Sequence, residues 1–139
     1  MREILFRGKR VDNGKWVYGF YIENETLSGS LIPTIILIDE KRAVRFDSEG
    51  YNVEVFVTPE TVGQYTGLKD KIGKKIFEGD IVRLQNLKLL YEIYWDKKEA
   101  RYKARNGGCV SPLCNDYNVF VEEAVGNVFD NPELLEGEK

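Results

Sequence analysis

The chain has no histidine and only two cysteines among its 139 residues. Histidine is the side chain best suited to proton transfer near neutral pH, so its absence excludes Ser-His-Asp and Cys-His catalysis. Cys109 and Cys114 fall in the loop-like GGCVSPLC. Without histidine they cannot complete the usual ligand set of a zinc site, and a disulfide-stapled secreted chain would carry more cysteine, so free thiols are expected. No apolar run approaches the roughly 18 residues that cross a bilayer, and MREILFRGKR places Arg2, Glu3 and Arg7 where a leader peptide needs an apolar stretch. The expectation is a cytoplasmic protein without membrane contact.

What is present is an ordinary globular mixture, 42% hydrophobic, 31% charged and 12% aromatic. It suits one domain over 1–139, with subdomains expected at 1–62 (an N-terminal β-sheet) and 63–139 (a small β-barrel with a C-terminal tail). The net charge of −3 is uneven: residues 69–105 hold 11 Lys and Arg against 6 Asp and Glu, whereas 106–139 hold 1 against 7. A basic middle can be a nucleic-acid face, or it can be neutralised by the acidic tail packed beside it, which is the commoner outcome.

Strand signals dominate. Asn13-Gly14 between apolar runs predicts a hairpin with a type I′ turn. After it Trp16, Tyr18, Phe20 and Ile22 share one face, expected to be the core face. Leu31 to Ile38 is apolar on both alternations, and Pro33 argues for an edge or a strand start. Ile32, Ile36 and Ile38 are therefore candidates for a subunit contact, with a strand covered on both sides within one chain as the equal alternative. Arg42–Phe46 and Tyr51–Thr58 read as a strand pair. Thr58-Pro59-Glu60 and Asn131-Pro132-Glu133 read as one-turn helices, with Thr58 as N-cap of the first. Leu89, Tyr91, Ile93 and Trp95 alternate, Arg101 to Arg105 returns, and strands are expected at Asn118–Glu122 and Ala124–Phe129. Short strands at about ten-residue spacing predict an all-β protein, a complex multi-stranded sheet with a small SH3-like barrel portion and only one-turn helices.

The most motif-like stretch is GLKDKIGKKIFEGDIV, Gly67 to Val82. As a phosphate loop it fails: five residues separate Gly67 from Gly73, Lys75 stands where a hydroxyl should bind magnesium, and β-formers follow instead of a helix. Asp70-Lys71-Ile72-Gly73 suits a type I turn closed by a left-handed glycine, and Glu78-Gly79-Asp80 a second tight turn.

This stretch, preceded by Gln64-Tyr65-Thr66, together with Arg2-Glu3-Ile4, Phe6-Arg7, Val125-Gly126-Asn127-Val128-Phe129 and Asn131-Pro132-Glu133-Leu134-Leu135, closely resembles the YopX family of phage and prophage proteins. The family commonly has Asn where Ile72 stands here, which bears on the turn type alone. The resemblance implies an all-β, complex fold and a protein made in bacterial cytoplasm. It implies no activity, cofactor or catalytic residue.

The resulting expectation is a non-enzymatic binding module without cofactor or metal, acting on nucleic acid or on a host or phage protein. Its candidate contact residues are Lys69, Lys71, Lys74, Lys75, Arg83, Lys97, Lys98, Arg101 and Arg105, interleaved with Tyr91, Tyr94 and Tyr102. A self-assembling structural component is the alternative. A magnesium enzyme would need Asp70, Glu78, Asp80 and Asp96 as ligands, residue types that at turns are far more often caps.

Overall fold

The computed structural model describes residues 3–39, 41–85, 87–112 and 121–136. These form two compact units, Met1–Gln64 and Tyr65–Lys139. The fold is all-β with antiparallel pairing, and its helices are single turns, the 3-10 turn Pro59–Thr61 and α1 (Glu133–Glu136).

The first unit contains β1 (Phe6–Lys9), β2 (Trp16–Glu25), β3 (Leu31–Leu37) and β4 (Glu54–Phe56), ordered β4-β3-β2-β1, and the start of β5 (Gly63–Lys69) pairs with β1. Its core is Ile35, Leu37 and Val57, against which Phe6, Val17, Tyr21, Val53, Val55 and Val62 pack. This corrects the expected face of β2. Val17 and Tyr21 point to the core, while Trp16 and Phe20 are half-buried on the other side and Tyr18 is exposed. Between Val17 and Tyr21 stands Gly19, where a Cβ would lie 1.9 Å from the Ile36 carbonyl oxygen. The close approach of β3 thus fixes glycine at position 19 in the middle of the core face.

Nor is β3 an edge. It pairs with β2 from Gly19↔Leu37 to Glu25↔Leu31 and with β4 at Thr34↔Phe56, Ile35↔Val55 and Ile36↔Glu54. Pro33 is tolerated because its side of the ladder needs only a carbonyl, which accepts from Val57 N at 3.1 Å. The Asn13-Gly14 hairpin forms, yet not through a two-residue I′ turn: Arg10 N bonds Lys15 O, and of the pair only Gly14 has positive φ, at 71°. Asn13 instead accepts the Lys15 N–H through Oδ1 at 2.9 Å. At the 3-10 turn Thr58 makes no side-chain cap. Thr61 Oγ1 instead ties the turn to β1, donating to Thr58 O and accepting from Lys9 N.

The second unit holds the remainder of β5, paired with β6 (Lys75–Phe77), and a sheet ordered β10-β9-β8-β7-β11. These strands are β7 (Asp80–Leu84), β8 (Leu90–Asp96), β9 (Arg101–Asn106), β10 (Cys109–Pro112) and β11 (Val121–Asn127). Ile76, Val82, Leu84, Tyr91, Ile93, Ala104, Val121 and Ala124 make its core. The expected strand residues Asn118 to Phe120, and Cys114, lie outside the described residues. Cys109 is a free, exposed thiol. Among the described residues no helix is long and apolar enough to cross a membrane.

Candidate binding surface

The signature stretch folds into the β5–β6 hairpin and the turn after it. Gly73 adopts φ 92° and its N–H bonds Asp70 O at 3.0 Å, the type I turn with a left-handed closing glycine. Asp70 does more than a turn residue needs. Its Oδ1 accepts from Ile72 N and Lys74 N, and its Oδ2 from Ala124 N on β11. Gly79 takes φ 87°, and Asp80 Oδ2 accepts from Phe77 N at 2.8 Å.

The hairpin's own carboxylate is buried and held by backbone donors rather than by its lysines. Lys69, Lys71 and Lys74 are exposed, and no ion pair joins them to a carboxylate among the described residues. Lys69 and Lys75 face each other across the ladder, and Lys75 Nζ lies 5.5 Å from the Tyr65 ring centroid. Ile72, 80% exposed, is the apolar tip among these cations.

Other basic residues are neutralised where they stand. On one face of the sheet Arg83 pairs with Glu123 at 3.5 Å and Arg105 with Glu92 at 3.2 Å, while the Arg105 guanidinium sits 4.1 Å from the Tyr94 ring centroid. Lys103 lies between Asp96 and Glu99. Those hydrogen bonds hold the Asp96 carboxyl below its ordinary pKa and raise the Lys103 ammonium above its own. In these pairs Glu92, Asp96 and Glu99 lie inside the basic segment and Glu123 comes from the acidic C-terminal region.

At the β8–β9 hairpin end, Lys97, Lys98 and Arg101 are exposed without a carboxylate partner among the described residues. Beside them Trp95 is 42% exposed and packs edge-on to Tyr102, with ring centroids 4.8 Å apart. Trp95 is the residue that sequence reading missed. Its alternation with Tyr91 and Ile93 signals only a strand, and its place next to the turn is the one signal that the core ends before it. Tyr91 must be withdrawn as a contact residue, because at 6% exposure it belongs to the core.

The two basic ends are well apart. The β5–β6 turn bonds Glu122 and Ala124, and Glu123 between them pairs with Arg83 on β7, which pairs onward with Leu90 at the start of β8. From there to Asp96 is about 20 Å of extended strand. The twelve candidates therefore divide into a lysine hairpin, an ion-paired sheet face, an aromatic-basic hairpin end and one core tyrosine.

The acidic set is likewise dispersed. Asp70 and Asp80 are buried on backbone donors, Asp96 is held by Lys103, and among the described residues no group of three or more Cys, Asp or Glu converges as metal ligands. A cavity of about 290 Å³ in the first unit is lined by Arg10, Val11, Asp12, Glu54, Val55 and Phe56. Its Arg10 and Asp12 are bound to each other at 2.8 Å.

Two antiparallel all-β units, with the most motif-like stretch of the chain forming a hairpin exposed at its turn and buried beyond it, define the fold class. Residues 5–136 match the YopX protein family, and the chain belongs to that family. Its fold is similar to that in the crystal structure of protein EF1440 from Enterococcus faecalis, with a TM-score of 0.55 and 24% identity, covering 97% of this chain and 99% of that one. No curated protein matches the sequence.

Proposed function

We propose that this YopX-family chain is a phage or prophage accessory protein of the bacterial cytoplasm. In this reading it is a non-enzymatic binding module whose β5–β6 hairpin presents lysines to a polyanionic partner. The partner is nucleic acid or an acidic surface of a host or phage protein, and the second unit corresponds to the SH3-like half suggested by the sequence. One observation carries the reading: Lys69, Lys71 and Lys74 stand without carboxylate partners, among the described residues, around a turn whose aspartate is buried and saturated by backbone N–H groups. Such cations bind phosphates or clustered carboxylates by releasing counterions, so binding should weaken steeply with salt. Retention on immobilised DNA, RNA and polyglutamate at low salt, beside a charge-matched control protein, tests it. Retention no better than the control's would refute it. Pull-down from phage-infected cells with and without nuclease then separates the two partner classes.

A second reading, self-association, is supported by the first unit. Tyr18, Ile22, Ile32, Ile36 and Phe56 share one face of the β2–β3–β4 sheet, and Phe56 is 54% exposed. Ile38, half-buried, continues the same alternation beyond β3. Half-exposed apolar faces of this kind often mark subunit contacts. The contact would then be a sheet face, since β3 is interior. A monomer by sedimentation at micromolar concentration would exclude it.

A further inference from the structure

We infer that the β8–β9 hairpin end is a stacking site for the bases of a single-stranded nucleic acid, with Trp95 as its platform. This rests on the polyanion reading above and narrows the partner.

A sequence-tolerant single-strand site needs a π-face open to solvent, something that fixes the ring, and cations that hold the backbone beside it. Trp95 supplies the face. Tyr102, its cross-strand partner, meets it edge-on at 68°, so the ring is braced by a neighbour that does not stack on it. Lys97, Lys98 and Arg101 supply the charge, because the two acids of this end are already engaged. Asp96 accepts from Lys103 Nζ at 2.8 Å and from the backbone N–H groups of Lys98 and Glu99, and Glu99 also pairs with Lys103. Four cations against two carboxylates leave this end with a net +2. Duplex bases already stack on one another and offer no free face to an indole, whereas a single strand does. An acidic peptide would use the cations but leave the exposed indole without a role.

The test uses the full chain and follows tryptophan fluorescence and affinity. The ligands are oligothymidylate of about 12 nucleotides, an abasic strand of the same length, a duplex, and polyglutamate. The expected result is quenching by the base-bearing strand and affinity about 10-fold above the abasic strand. Trp95→Leu should erase that difference, Trp95→Phe should keep most of it, and K97Q/K98Q should weaken both strands together. Equal affinity for base-bearing and abasic strands, no effect of Trp95→Leu, or polyglutamate or duplex binding as tightly as the single strand would overturn the inference. If Trp95→Leu fails to fold, the abasic comparison on the wild-type chain decides alone. Binding of all polyanions without a base-dependent increment removes this inference and leaves the lysine hairpin standing, whereas no binding to any of them removes both.

Discussion

Asp70 Oδ2 accepts a hydrogen bond from the backbone N–H of Ala124 at 3.1 Å, tying the β5–β6 turn to a strand 54 residues away. The same carboxylate holds the N–H groups of Ile72 and Lys74 through its other oxygen, at 3.1 and 2.8 Å. One side chain therefore shapes the turn and anchors it to β11.

Truncating it orphans three N–H groups, at least one of them buried, and each such loss costs about 1–3 kcal/mol without being additive. Asp70→Ala should destabilise the protein by about 3 kcal/mol in urea unfolding. Asp70→Asn, which retains one acceptor oxygen, should cost about half of that. A loss below about 0.5 kcal/mol for the alanine variant would mean that the turn holds without its anchor.

Glycines should separate into two classes. A Cβ at Gly19 meets the Ile36 carbonyl at 1.9 Å, so Gly19→Ala must break the β2–β3 pairing and should yield insoluble or unfolded protein. Gly73 has open space around it but φ of 92°, so Gly73→Ala should fold and lose only about 1–2 kcal/mol. Soluble yield and thermal melts of the two variants side by side check the contrast.

Ala100 closes the β8–β9 turn with φ 52°, a conformation that costs a side-chain-bearing residue about 1 kcal/mol. Ala100→Gly should therefore raise stability by about 0.5–1 kcal/mol, the reverse of the usual effect of introducing glycine. A lower melting temperature for this variant would contradict the strain.

The Asp96–Lys103 pair should leave a mark on the acid limb of stability. Hydrogen bonds from Lys103 and then from the backbone lower the Asp96 pKa. Its contribution is therefore complete above about pH 4, the ordinary value, and is lost as pH falls through the lowered native value. Lys103 is raised, chiefly by Asp96 and then by Glu99, so its contribution persists through neutrality and fades only as pH rises through its native value. Asp96→Asn should flatten the acid-side fall of melting temperature below about pH 4. An unchanged slope would show that the pair contributes nothing.

Local chemistry made much of this fold legible. Glycine at 73 and aspartate at 70 specified the turn that formed, and the alternation around Ile93 specified β8 but not its buried face, since Tyr91 on that face read as a contact residue. What stayed hidden was tertiary. The period of Trp16 to Ile22 could not reveal that the aromatic side is the outer one, because Gly19 is dictated by the approach of β3. Pro33 looked like an edge because a sequence carries no record of a neighbour that needs only its carbonyl. The ion pair Arg83–Glu123 joins strands distant in the chain and Arg105–Glu92 depends on the register of the β8–β9 hairpin, so a count of charges could not separate neutralised cations from those left without partners. Trp95 was passed over because its alternation reads only as strand and carries no mark of where the core ends.

The lysine hairpin is tested most directly by the salt dependence of DNA binding for the wild-type chain and the K69Q/K71Q/K74Q variant. The variant removes charge from exposed side chains only, so its melting temperature should stay within about 2 °C of wild type. Its plot of log affinity against log salt should be shallower by about 2–3, roughly one for each lysine that no longer neutralises a phosphate. A folded variant with the wild-type slope and the wild-type affinity would contradict a role for this hairpin in binding.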